Sequence, residues 1–231
     1  MIHQGKISAS THFRKFWQAK LLVAITGISL LLFASPAMAH HAMGGKMPSN
    51  FFEGFLSGLA HPLIGLDHFA FIVSIGLLAA IKRQGIWIPV AFIVSAMLGT
   101  GLHLMGLNLP GVELFVSGSI LLFGTLLVLK DSPNTTTIIA LAAIAGVFHG
   151  YAYGESIFGA QMSPLLAYLL GFTSIQLVVA TGTFKISQSF IQRNSQQQLP
   201  YNLRSAGLVI CGIGLAFLSS QVVNTLFALQ G

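Results

Sequence analysis

The stretch FFEGFLSGLAHPLIGLDHFAFIVSIGLLAAI, residues 51–81, is almost continuously apolar yet carries Glu53, His61, Asp67 and His68. As a single α-helix it would measure about 45 Å at about 1.5 Å per residue, well beyond a hydrocarbon core of about 30 Å. The stretch also contains the means to break it. Pro62 removes a backbone donor and disfavours helix at His61, and Gly54, Gly58 and Gly65 loosen the same region. The sequence therefore predicts a discontinuous helix broken near Pro62, or an interfacial helix followed by a spanning one. Broken helices in transporters place backbone and side chains where a substrate binds.

Working outward from this stretch, further apolar segments recur at residues 86–107, 112–129, 135–153, 164–184 and 203–229, separated by short polar breaks. The expected fold class is all-α: a polytopic membrane helix bundle with six transmembrane helices and loops too short to form domains. Composition agrees. Of 231 residues, 54% are hydrophobic and 7% charged, against about 25% charged in soluble globular chains. The mean hydropathy is +0.81. The net charge of +6 does not indicate a nucleic-acid binder. Lys6, Arg14, Lys15 and Lys20 precede the first apolar run, and the seven other basic residues face five acidic ones without forming a patch. One cysteine, Cys211, excludes an internal disulfide, a cysteine-rich zinc site and an iron–sulfur centre.

The N-terminus has its own logic. Residues 1–20 are basic, residues 21–34 (LLVAITGISLLLFA) are unbroken apolar, and Ala37-Met38-Ala39 has the small-x-small form of a signal-peptidase site. Residues 1–39 read as a secretory signal peptide and 40–231 as the six-helix transmembrane domain, the mature chain starting at His40. Lys82 and Arg83, then Lys130, then Lys185, Arg193 and Arg204 fall in alternate loops, which the positive-inside rule assigns to the cytoplasm. Both mature termini then lie on the periplasmic side of a bacterial inner membrane. The polar run at 192–198 reads as a cytoplasmic linker.

Ionisable side chains inside spanning segments cost about 2.5–3.5 kcal/mol each, so each needs a partner or a task. His61, Asp67 and His68, then His103, Glu113, His149 and Glu155, all fall by this topology in the outer half of the membrane. Imidazole and carboxylate together suit borderline divalent metals such as nickel, cobalt and zinc, whereas a copper(I) path would favour Cys and Met. On an ideal helix His61 and His68 share a face but stand about 10 Å apart along the axis, too far to ligate one ion without a break. Either a kink at Pro62 to Gly65 folds His61 back, or the two are successive stations along a path. Asp67 is a candidate ligand or an acceptor that fixes an imidazole tautomer. Glu113 suits the first turn of a helix through the dipole alone. Trp87, Tyr151 and Tyr153 read as interfacial aromatic residues, and Cys211 as small apolar filler. Gly54-x-x-x-Gly58 and Gly150-x-x-x-Gly154 fit close helix packing. Gln176, flanked by Thr173 and Ser174, is a candidate to line the inner half of a path.

The run His61-Pro62-Leu63-Ile64-Gly65-Leu66-Asp67-His68 resembles the H-P-x-x-G-x-D-H signature of the HupE/UreJ family, hydrogenase and urease accessory membrane proteins regarded as nickel, in some cases cobalt, permeases. The resemblance extends to the fourth apolar segment, which ends Phe148-His149-Gly150-Tyr151-Ala152-Tyr153-Gly154-Glu155, with Tyr153 where many relatives carry a second histidine. It implies an inner-membrane permease, not an enzyme, that supplies metal for metalloenzyme maturation. Its metal residues would be His61, Asp67, His68, His149, Glu155 and His103. Ni2+ or Co2+ is then the transported substrate, with no organic cofactor. The partners are the divalent ion and membrane lipid, with a homo-oligomer or a metallochaperone as further candidates and no nucleic acid. The alternative is a membrane metal-binding accessory protein or a metalloenzyme. No G-x-x-x-x-G-K-[ST] loop occurs in the sequence, so transport would draw on an ion gradient, the membrane potential or a partner.

Overall fold

A computed structural model describes residues 46–193 and 199–228. The proposed signal peptide and the mature start at His40 lie outside them, as do residues 194–198 of the polar linker. The described residues form seven α-helices and no strand: α1 (Phe51–Ile64), α2 (Leu66–Ile81), α3 (Trp87–Leu104), α4 (Val112–Val128), α5 (Thr135–Glu155), α6 (Met162–Arg193) and α7 (Leu199–Ala228). Together α1 and α2 account for the first apolar segment, and the other five helices match the other five segments one for one. Four of these, α3, α5, α6 and α7, are long and apolar enough to cross a membrane, and α1 with α2 qualifies as one broken span. The 17 residues of α4 reach about 26 Å, at the short end of the spanning range.

Local signals set the helix starts. Asn50 caps α1 by accepting the Glu53 N–H at 3.0 Å, and the Glu53 carboxylate returns to the Ser49 N–H and hydroxyl, each at 2.8 Å. Asn134 caps α5 by accepting the Thr137 N–H at 2.9 Å. The first segment bends by 76°. The break falls at Gly65, within the expected stretch from Pro62 to Gly65, and Pro62 itself stays inside α1. This glycine, at φ −68° and ψ 95°, ends α1 by donating its N–H to the His61 carbonyl and starts α2 by accepting from the Phe69 N–H. Pro62 can give no N–H to the Gly58 carbonyl one turn before it, yet α1 continues through it to Ile64. The extended glycine carries the change of direction.

Small residues let the helices meet backbone to backbone. A Cβ on Gly54, Gly58 or Gly171 would collide with main chain across the α1–α6 contact, and one on Gly99 or Gly150 across the α3–α5 contact. Both glycine-x-x-x-glycine pairs read from the sequence serve such contacts: Gly154 abuts the His103 Cβ. At the centre lies α2, whose Phe71, Ile72, Ile75, Leu78 and Ala79 are fully enclosed by side chains of α3, α4, α5 and α6 such as Phe92, Phe123, Ala142 and Ala180. The outward faces are also apolar, with Val94, Leu98, Ile144, Leu170, Val178 and Leu215 exposed. Helices that are apolar all round suit lipid outside and packing inside.

At one end of the bundle the Lys82 ammonium donates to the carbonyls of Ser132 at 3.2 Å and Pro133 at 2.6 Å, and the Thr135 hydroxyl donates to the Arg83 carbonyl. The loops after α2 and α4, which hold Lys82, Arg83 and Lys130, therefore share one end.

Candidate metal-handling site

The turn at Gly65 starts α2 with Asp67 and His68 already inside the protein, at 7% and 3% exposure. A Cβ at Gly65 would approach His68 Cδ2 to 2.9 Å and Asp67 Oδ1 to 3.1 Å, so these side chains occupy the space a larger residue would need. Asp67 Oδ1 accepts the His68 N–H at 2.8 Å, which places a carboxylate at the positive end of α2. Among the described residues Asp67 is the only buried carboxylate.

The same bend brings His61, at the end of α1, beside His68, with ring centroids 5.7 Å apart. With metal–nitrogen bonds of about 2.1 Å, two imidazoles that share an ion have centroids about 4.5–6.5 Å apart. The obstacle of a straight helix is therefore removed by the backbone break. From α5, His149 joins them, fully buried, its Nδ1 2.9 Å from His68 Nδ1. Three imidazoles from two spans thus form one buried group.

Hydrogen bonds define the tautomers. The Ser119 hydroxyl donates to the Val116 carbonyl at 2.7 Å, so its oxygen accepts from His149 Nε2–H at 2.9 Å. The Nδ1 of a neutral His149 is then an acceptor and takes the Nδ1–H of His68. The unprotonated nitrogen of His68 is Nε2. On the other side the Tyr168 hydroxyl donates to the Tyr153 carbonyl at 3.0 Å and accepts from His61 Nδ1–H at 3.1 Å, with Ser156 Oγ 2.8 Å from the same nitrogen. His61 is likewise unprotonated at Nε2. His61 and His68 therefore each carry an unprotonated Nε2, the form a metal requires, whereas both nitrogens of His149 are engaged, one with Ser119 and one with His68.

Aromatic rings enclose the group. Tyr153 stands 4.4 Å from His68 and 5.2 Å from His61 by centroid, and Phe71 and Phe92 pack on His149 at 4.4 and 5.6 Å. Tyr153 is not an interfacial residue as its sequence position suggested. It is fully buried, because on α5 it follows His149 by one turn and shares its inward face. Tyr151, on the opposite face, donates to the Leu107 carbonyl at 2.8 Å.

Two residues of the expected set stand apart. His103 lies at the end of α3 against Tyr151 and Phe158, at 4.4 and 5.4 Å, across α5 from the imidazole group. Glu155 is exposed at the end of α5. Glu113, in the first turn of α4, accepts from Gln221 Nε2 at 3.5 Å. Among the described residues, no three His, Cys, Asp or Glu side chains are placed to enclose one ion. The arrangement is a buried imidazole group beside a carboxylate, donor types that suit a borderline divalent cation. Ser119, Ser156 and Tyr168 escaped the sequence reading, since hydroxyl residues in apolar helices carry no spacing signal.

No solved structure matches the chain. A curated protein from Rhizobium leguminosarum bv. viciae, named Protein HupE, is 29% identical over 153 residues, covering 65% of this chain and 76% of its own length. The family described as HupE / UreJ protein matches residues 28–217, which include both histidine segments and all or most of every helix described above, and the chain belongs to that family.

Proposed function

We propose that the protein is an inner-membrane permease for a divalent transition metal, nickel or cobalt, that serves metalloenzyme maturation. The observation that carries this reading is the group of His61, His68 and His149, buried inside a bundle of apolar helices and assembled by a backbone break within a span. Burying three imidazoles and a carboxylate in a membrane bundle is costly, and a divalent cation repays that cost in the chemistry these groups share. The family's association with hydrogenase and urease accessory nickel uptake supports the choice of substrate. A group in which no three ligands among the described residues enclose one ion favours release over retention, which suits a carrier better than a metalloenzyme.

In this reading the end that carries Lys82, Arg83 and Lys130 faces the cytoplasm, and the imidazole group lies toward the periplasm. The ion sheds water to His61 and His68 Nε2 while Asp67 offsets its charge. His149 and Ser119 hold His68 in the receiving tautomer. A doubly charged ion entering down a potential of about −100 mV inside gains about 4.6 kcal/mol, enough to drive uptake without nucleotide hydrolysis. The test is accumulation of radiolabelled nickel and cobalt by cells with and without the protein. Expression should raise accumulation of at least one ion, and equal accumulation of both would remove the permease reading in favour of a metal-binding accessory role.

A further inference from the structure

Inward from the imidazole group, the bundle centre is apolar, closed by Phe71, Phe92 and Phe123 on one side and by Phe172 on the α6 side. One residue breaks this pattern. Gln176 is fully buried, and neither its amide nitrogen nor its amide oxygen has a protein partner among the described residues. An amide shut away with both groups unsatisfied is rare in native proteins and is tolerated where a solvent molecule or an ion visits.

Its position in the fold shows which visitor fits. Along α6, Tyr168, Phe172, Gln176 and Ala180 follow each other at four-residue intervals, and all four are fully buried, so they lie along one inward stripe. Tyr168 holds His61, and Phe172 packs on Tyr153 at 5.4 Å, so the stripe starts at the imidazole group. Gln176 stands one turn, about 6 Å, further along the helix. Beyond it, Gly76 of α2 meets Ala180 and Thr183 of α6. Three residues before Gln176, the Thr173 hydroxyl is also buried without a partner among the described residues.

From this placement we infer that the α2–α6 seam is the inward route of the cation and that Gln176 is its inner station, past the Phe172 barrier. The amide oxygen is a hard, neutral ligand for a partly hydrated divalent ion, and the amide nitrogen donates to that ion's water. A neutral amide binds such an ion less strongly than imidazoles beside a carboxylate, so the ion passes from a tighter site to a looser one. The inference rests on the permease reading and adds a residue distant from the imidazoles to it.

The experiment uses the full chain purified and reconstituted in liposomes, with 63Ni2+ uptake driven by an inside-negative potential, beside nickel binding by calorimetry in detergent. Gln176→Leu should bind nickel as the unaltered protein does and melt at no lower temperature, since it removes two unsatisfied polar atoms. Its initial uptake rate should fall about tenfold or more, the scale seen when a metal-orienting group is lost. Gln176→Glu, which keeps an oxygen ligand, should transport faster than Gln176→Leu. In a Cys211→Ser background, Gln176→Cys should react with a charged, water-soluble thiosulfonate, and Ni2+ should slow that reaction. Uptake by Gln176→Leu at the unaltered rate, or a Gln176→Cys thiol that does not react, overturns the inference while leaving the permease reading standing. If liposomes bearing the unaltered protein take up no nickel, the permease reading itself falls and the inference with it.

Discussion

The Nδ1 atoms of His68 and His149 face each other at 2.9 Å although the residues are 81 positions apart in the chain. A hydrogen bond between two imidazoles needs one ring to donate and the other to accept, and Ser119 decides which by receiving the Nε2 proton of His149. Through this bond a residue of α5 sets the nitrogen that His68 of α2 offers to a cation.

That coupling predicts non-additive mutants. His68→Ala should abolish nickel uptake without removing the protein from the membrane. His149→Ala should lower it about 10–100-fold, because it removes the partner that orients His68. The double variant should then be no worse than His68→Ala alone, since both changes act through one imidazole. Uptake assays on the three variants at matched expression measure this, and normal uptake by the double variant would eliminate the site.

Asp67 has two roles that substitution separates. Asp67→Asn retains an oxygen that can accept the His68 N–H, so α2 should still form and the protein should be stable to within about 1 kcal/mol, the usual scale of a helix-dipole charge. It loses the only buried negative charge among the described residues, so nickel affinity should drop about tenfold or more. Thermal melts and calorimetry of the same preparation read the two effects independently; unchanged affinity would confine Asp67 to capping.

Gly65 is the third target. Gly65→Val must displace His68 Cδ2 or Asp67 Oδ1, which a Cβ would already crowd at 2.9 and 3.1 Å, at a cost of about 1–3 kcal/mol in overpacking. Uptake should be lost more completely than stability. Gly118→Val is the control: apart from its chain neighbours and its own helix backbone, nothing lies within 4 Å of a Cβ there, and both uptake and melting temperature should hold.

Acid should inhibit. Protons and divalent cations compete for the same imidazole nitrogens, so the initial rate of nickel uptake at fixed membrane potential should fall as the external medium is acidified. Replacing His61 and His68 together should remove the residual metal-dependent rate at every pH. A rate that rises steadily on acidification would indicate that protons drive the transport step.

At the N-terminus, cleavage after Ala39 predicts that sequencing of membrane-bound protein returns His40-His41-Ala42. A start at Met1 would replace the signal peptide with an additional N-terminal segment.

Much of this protein was legible in its sequence because the membrane imposes strong one-dimensional rules. Apolar runs of spanning length, separated by polar breaks, predicted the spans that α1–α2, α3, α4, α5, α6 and α7 occupy, and the glycine pairs at 54/58 and 150/154 marked helix contacts that a Cβ would block. His61, Asp67, His68 and His149 stood out because ionisable groups in apolar segments are expensive. What only the tertiary structure decided is which of those groups meet. Within the expected stretch from Pro62 to Gly65 the break fell at Gly65, and it removed the separation of His61 from His68 along a straight helix, because an extended glycine turns the chain by 76° while Pro62 stays helical. The rotation of α5 sent His149 and Tyr153 inward and left Tyr151 facing His103, and the end of α5 left Glu155 exposed. Proximity between helices depends on their rotation and crossing, which apolar sequences specify only through packing. For that reason the hydroxyl partners Ser119, Ser156 and Tyr168 were invisible before the helices were assembled.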